Sequence, residues 1–244
     1  MTAITYTDVT KRFKGANMNA VDHVSFSVEA GEMVMLVGTS GSGKTTLMKM
    51  MNRLYTADSG TVSLFGEDIA KKDPVALRLS IGYVIQQIGL FPHMTVYDNI
   101  ATVPKLLKWN KEKIAARVEE LLKLVNLDPK EFYRRYPAQL SGGQQQRIGL
   151  ARALAADPAV MLLDEPFGAI DAINRRNLQD ELLRIHQKDQ KTYLFVTHDI
   201  TEAVKLGSRL LIMHEGKVQQ YDTPEEILKH PANEFVASLM EGVT

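Results

Sequence analysis

Gly38-Thr39-Ser40-Gly41-Ser42-Gly43-Lys44-Thr45-Thr46 contains the pattern G-x-x-x-x-G-K-[ST]. The glycines let successive backbone N–H groups turn inward on a phosphate. Lys44 can reach the β- and γ-phosphates, and the Thr45 hydroxyl can ligate Mg²⁺. A second segment, Val160-Met161-Leu162-Leu163-Asp164-Glu165-Pro166, carries two carboxylates out of an apolar run. Asp164, at the end of a buried strand, can hold Mg²⁺ opposite Thr45, and Glu165 can accept a proton from an attacking water. In a third segment, Leu140-Ser141-Gly142-Gly143-Gln144, Ser141 caps a helix whose first amides form a second anion site. Two anion-binding helix starts in one chain suggest a nucleotide clamped from two sides. The plainer alternatives are a Gly-rich turn that binds nothing and an Asp-Glu pair that only caps the next helix. The strand–loop–helix setting and the pairing of the motifs weigh against both.

These residues need a scaffold, and short apolar runs alternating with amphipathic stretches indicate an α/β domain with a largely parallel sheet. Residues 33–37, 160–163 and 193–196 are continuous apolar runs, as expected of strands buried on both faces. Residues 4–9 and 24–28 alternate more, which predicts antiparallel strands with one wetter face. Residues 212–221, turning at Glu215-Gly216, read as a hairpin. Leu47, Met50, Met51 and Leu54 form a helical stripe after the phosphate loop, and Ile114, Val118, Leu121, Leu122 and Val125 form another. A third helix starts at Ser141 and runs through Ile148, Ala151, Leu154 and Ala155. Thr223-Pro224-Glu225-Glu226 is a helix start. Residues 98–139 have helical periodicity and no strand, which predicts a helical lobe on an α/β core made of 1–97 and 140–244. No repeat or linker divides the chain, so 1–244 is expected to form a single domain.

The composition excludes several classes. With 244 residues, 45% hydrophobic and 24% charged, the chain is neither disordered nor collagenous. Lys+Arg and Asp+Glu are both 29, so the chain lacks the net positive field that draws proteins onto nucleic acid. Having no cysteine rules out a disulfide framework, a thiolate metal site and a Cys nucleophile. The N-terminus has no basic segment followed by an apolar one, so no signal peptide is expected. The longest uncharged stretch, 79–97, contains Gln86, Gln87, Pro92 and His93, and is not expected to span a membrane. The 11 methionines read as adaptable core filler, and Trp109 as a structural residue of the helical lobe.

With Leu140–Gln144 following the phosphate loop, the sequence resembles the ATP-binding cassette (ABC) transporter ATPases over nearly its whole length. The resemblance implies a P-loop NTPase fold with a RecA-like core, an N-terminal antiparallel β subdomain and a helical subdomain. It places Phe13 as the aromatic that stacks on adenine. It makes Gln86, in Gly82-Tyr83-Val84-Ile85-Gln86, the glutamine that contacts Mg²⁺ or water and links the helical lobe to the core. Asp171, in Gly168-Ala169-Ile170-Asp171, would contact the opposite subunit. His198, in Val196-Thr197-His198-Asp199, would sense the γ-phosphate. A head-to-tail homodimer with two sandwiched ATP molecules is implied, so Ser141, Gly142, Gly143 and Gln144 serve the partner's ATP. Thr45 in place of Ser and Ile170 in place of Leu are small departures.

Residues 81–90, 166–169, 222–228 and Pro231-Ala232-Asn233 look like those of the importer ATPases for glycine betaine, carnitine and choline. That narrower likeness implies a permease, a solute-binding protein and a peripheral position on the cytoplasmic face of the membrane. The apolar segment 89–94, next to Gln86, suits docking of a membrane subunit's cytoplasmic helix, with core packing as its plainer alternative. The chain stops at Thr244 soon after its last helical start, so paired regulatory CBS domains are not expected. Three alternatives stand beside this reading. One is import of another small solute, such as an amino acid. Another is a nucleic-acid or ribosome-directed ABC ATPase, which usually carries two cassettes or coiled-coil insertions. The third is a non-hydrolysing scaffold, against which intact Glu165 and His198 argue.

Overall fold

The continuous apolar runs become strands with every residue buried. In the computed structural model, which describes residues 1–86, 89–168 and 172–243, these are β3, β7 and β8 of the following order. The chain runs β1 (Thr2–Lys11), β2 (Val21–Glu29), β3 (Met33–Gly38), α1 (Lys44–Met51), β4 (Ser59–Leu64), β5 (Glu67–Asp68) and α2 (Pro74–Ser80). It continues with β6 (Ile81–Val84), α3 (Val96–Ile100), α4 (Thr102–Leu106), α5 (Lys111–Leu124), α6 (Pro129–Phe132), α7 (Gly142–Leu154), β7 (Val160–Asp164) and α8 (Ala172–Asp189). The last elements are β8 (Thr192–Val196), α9 (Ile200–Leu206), β9 (Arg209–His214), β10 (Lys217–Asp222), α10 (Pro224–Lys229) and α11 (Glu234–Met240). They divide into two compact units, Met1–Arg78 with Gln190–Thr244, and Leu79–Asp189.

In the first unit β3 lies between two parallel neighbours, with Leu36 opposite Val196 of β8 and Gly38 opposite Met213 of β9. β10 returns antiparallel along β9. A separate antiparallel sheet has the order β2-β1-β4-β5. Its β2 buries Val24, Phe26 and Val28 and exposes His23, Ser25 and Ser27, the period-2 pattern of a half-wet strand. Tyr6 of β1 stacks on Phe26 at 4.6 Å, and its hydroxyl donates to the Leu47 carbonyl at 2.8 Å. Complete burial pushes the Tyr6 phenol well above its ordinary pKa, so it stays a neutral donor holding this sheet to α1.

The apolar stripe after the phosphate loop overruns its helix. α1 ends at Met51, Arg53 adopts a left-handed φ of 49°, and Leu54 is 48% exposed instead of continuing the buried face. The stop has a tertiary cause. The Arg78 guanidinium donates to the carbonyls of Asn52 at 3.1 Å and Arg53 at 2.7 Å, satisfying groups that a longer helix would have bonded internally.

The second unit pairs β6 with β7 in parallel, Ile81 opposite Val160 and Val84 opposite Leu163. α7 packs against β6, α3 and α5; Ile148, Ala151 and Leu154 of α7 and Ile114, Val118, Leu121 and Leu122 of α5 are all buried. Among the described residues, 98–139 contain helices and no strand. Trp109, half-buried between α4 and α5, lies under the Lys113 ammonium at 3.7 Å from the ring centre. No helix among the described residues is long and apolar enough to cross a membrane.

Candidate functional site

The phosphate loop follows directly from β3. Gly38 has φ +144° and Gly43 φ +103°, and a Cβ at either would collide with a backbone carbonyl, that of Met213 or of Ala20. Only glycine lets the loop lie so close to its neighbours while its amides turn inward. Thr39, Ser40 and Gly41 are exposed, Ser42 is buried, and Thr45 and Thr46 are half-buried in the first turn of α1. Lys44 is 6% exposed, and its ammonium donates to the carbonyls of Gly38 at 2.9 Å and Thr39 at 2.8 Å and to Ser42 Oγ at 3.2 Å. A nearly buried cation thus donates to oxygens of its own loop at the start of a helix. Phosphate oxygens, being charged, accept hydrogen bonds about twice as strong. The bowl, the lysine and the helix start fit a polyphosphate tail.

His198 leaves the C-terminal end of β8, the strand beside β3, so it emerges at the same sheet edge as the phosphate loop. Thr197, 2% exposed, donates its N–H to the Leu36 carbonyl at 3.2 Å, and its hydroxyl accepts from Asp199 N–H at 3.0 Å. Asp199 in turn caps α9 by accepting from Glu202 N–H at 3.1 Å. The exposed histidine is therefore held between an anchored strand end and a capped helix. Phe13, just past β1 and 36% exposed, meets Tyr55 edge-on at 5.1 Å.

In the second unit, register explains how Gln86 and Glu165 meet. Val84 lies opposite Leu163, so Gln86 and Glu165, each two residues further along, come side by side. Gln86 Nε2 donates to Glu165 Oε2 at 3.0 Å. Glu165 holds a left-handed φ of 46°, a conformation that costs a non-glycine residue about 1–3 kcal/mol and that clusters at active sites. Asp164, 8% exposed, ends β7 immediately before it. The hydroxyl, amide and carboxylate oxygens of Thr45, Gln86 and Asp164 are the hard donors that Mg²⁺ takes. At the start of α7, Ser141 Oγ accepts from Gln144 N–H at 3.3 Å and Gln144 Oε1 accepts from Ser141 N–H at 3.0 Å. This reciprocal cap leaves the Gly142 and Gly143 amides at the helix start, where an added Cβ would meet nothing within 4 Å.

Residues 21–168 match the family model described as ABC transporter. The chain belongs to the ABC transporter family. It is 55% identical over 228 residues to the carnitine transport ATP-binding protein OpuCA of Listeria monocytogenes, covering 93% of this chain and 57% of that one. It is 54% identical over 228 residues to the glycine betaine/carnitine/choline transport ATP-binding protein OpuCA of Bacillus subtilis, covering 93% and 60%. The chain thus spans less than two thirds of the length of these curated relatives. Among solved structures, a dimeric ATP-binding cassette in a post-hydrolysis state bound to ADP and Pi superposes with a TM-score of 0.80 at 33% identity. That match covers 90% of this chain and 98% of the cassette.

For an ABC protein, the sequence-predicted residues therefore group within each unit: the phosphate loop with His198 in one, and Gln86, Asp164 and Glu165 in the other. Asp171 lies outside the described residues. Sequence reasoning passes over Arg152, whose guanidinium donates to the Gly89 carbonyl at 2.6 Å and lies 5.8 Å from the Phe91 ring centre. A basic residue close to the buried stripe of α7 was the available signal.

Proposed function

We propose that this chain is the ATP-hydrolysing subunit of an ABC importer for quaternary-amine osmoprotectants such as glycine betaine, carnitine or choline. The observation that carries the hydrolytic part is the phosphate loop, with the Lys44 ammonium held among loop oxygens at the head of α1. The substrate class is supported by the carnitine and glycine betaine/carnitine/choline transport roles of the relatives at 54–55% identity.

Loop amides and Lys44 grip the β- and γ-phosphates, and Phe13 takes the adenine. Thr45, Gln86 and Asp164 would hold Mg²⁺, which would supply charge neutralisation at the phosphates. Glu165, its Oε2 fixed by Gln86, accepts the proton of the attacking water, and His198 holds the terminal phosphate. In a head-to-tail homodimer Ser141, Gly142, Gly143 and Gln144, with Asp171, serve the ATP of the second copy. The permease would dock at 89–94, where Phe91 is 40% exposed, and a solute-binding protein would deliver cargo from the far side. These roles place the chain peripherally at the cytoplasmic membrane face, with 98–139 as its helical lobe and no nucleic acid as partner.

The test is Lys44→Ala against the native chain in two assays. Purified, the variant should lose ATP affinity and phosphate release. In cells, uptake of betaine, carnitine and choline should collapse while amino-acid uptake persists. Unchanged ATP affinity would refute the phosphate-loop assignment. Loss of a different solute would keep the ATPase and discard the osmoprotectant.

A further inference from the structure

The hairpin turn Glu215-Gly216 lies behind the phosphate loop and makes backbone contact with it. Gly216 N–H donates to the Ser42 carbonyl at 3.2 Å, and Gly216 C=O accepts from Asp22 N–H at 2.9 Å. Gly216 has φ +78°, and a Cβ there would lie 2.8 Å from the Asn19 carbonyl oxygen and 3.3 Å from Ala20. Ala20 is the residue whose carbonyl abuts Gly43, and Met213, just before the turn, abuts Gly38. The turn and residues 19–20 therefore form one wall against which Gly38, Ser42 and Gly43 rest. The wall is itself anchored. The His214 ring stacks on Phe235 of α11 at 4.1 Å. Lys217 Nζ reaches Asp22 at 3.4 Å, and Asp22 also accepts from Asn19 Nδ2 at 2.7 Å.

We infer that Gly216 is a positioning residue for nucleotide binding: by holding the Ser42 carbonyl, the β9–β10 turn fixes the Ser42–Gly43 peptide plane and so where the Gly43 amide points, which sets the affinity for the phosphate tail. This deepens the proposed ATPase function and rests on it. Because dipoles act over short range, a shift of a few tenths of an ångström in the Gly43 amide weakens its phosphate contact.

The fold supplies a matched control. Phe65-Gly66, between β4 and β5, has φ values of 50° and 79°, against 46° and 78° for Glu215-Gly216, but a Cβ at Gly66 meets nothing within 4 Å. Gly66→Ala and Gly216→Ala thus share the same backbone strain, and only Gly216→Ala presses on the wall. Measured with ATP by equilibrium binding, Gly66→Ala should stay within about twofold of the native Kd and Gly216→Ala should rise about tenfold, a change of about 1.4 kcal/mol. KM should rise with Kd, and kcat at saturating ATP should change far less. Asp22→Ala loosens the anchor without adding bulk and should weaken ATP binding about threefold, since it removes part of the same support. It decides the matter if Gly216→Ala fails to fold. Equal Kd values for the two glycine variants, a native Kd for Asp22→Ala, or a loss of kcat with Kd unchanged would each overturn the inference alone. A native chain that binds no ATP would overturn it together with the reading beneath it.

Discussion

Asn99 is entirely buried in α3, yet it serves the exposed segment before the helix. Its Nδ2 donates to the carbonyls of Phe91 at 3.1 Å, Met94 at 3.1 Å and Thr95 at 3.0 Å, while its Oδ1 accepts from Phe91 N–H at 2.8 Å. Asn99→Ala removes these bonds together and leaves a small void. The amide NH₂ has only two hydrogens, so these contacts amount to about three hydrogen bonds; at about 0.5–1.5 kcal/mol each they bound the cost near 4.5 kcal/mol, but Phe91, Pro92 and His93 are exposed and their backbone can turn to water. The low end applies, about 2–3 kcal/mol, which lowers the melting temperature by about 4–12 °C at 2–4 °C per kcal/mol. Asn99→Asp should be worse than Asn99→Ala, because it retains the acceptor for Phe91 N–H but sets a carboxylate against the other carbonyls. Thermal melting of the three proteins tests the ranking. A variant Asn99→Ala that melts within about 1 °C of the native chain, or Asn99→Asp above Asn99→Ala, refutes the reasoning.

Other substitutions separate binding, chemistry and coupling. Glu165→Gln preserves shape and can keep a bond to Gln86, so ATP affinity should hold while turnover falls about 10²–10⁴-fold; near-native phosphate release would assign the base elsewhere. Phe91→Asp should spare the ATPase of the purified chain and abolish solute uptake in cells, and unchanged uptake would remove 89–94 as the docking segment. Asp98 takes a hydrogen bond from the Lys105 ammonium at 2.7 Å and another from Thr95 Oγ1 at 2.7 Å, and these, Lys105 foremost, hold its carboxyl below the usual carboxylate range. A depressed folded-state pKa stabilises above the unfolded value, about 3.9, and that contribution disappears as pH falls through the folded value. Asp98 is part-exposed, so the native chain should exceed Asp98→Asn by at most about 1 kcal/mol at pH 7. Denaturant melts should show the gap closing below pH ~4, and a gap independent of pH would discard the ion pair as its source.

How far the sequence was legible depends on where each residue finds its partners. Strands β3, β7 and β8 could be read because burial on both faces leaves an unbroken apolar run, and β2 because one wet face imposes alternation. The phosphate loop could be read because the motif lies within nine consecutive residues, where Lys44 folds back onto Gly38, Thr39 and Ser42. Leu54 was misread because α1 is stopped by Arg78, which lies 25 residues beyond Arg53 in the chain. The side-by-side placement of Gln86 and Glu165 follows from the β6–β7 register, which neither local sequence encodes. Gly216 is the instructive case. Its turn is evident from Glu215-Gly216, but Gly216 and Gly66 share the same left-handed φ, 78° and 79°. What distinguishes them is that one has Ser42, Asn19 and Ala20 against it and the other has open space. A motif therefore marks the residues that touch a ligand, while those that aim the motif carry no signature of their own and become visible only when the chain is folded.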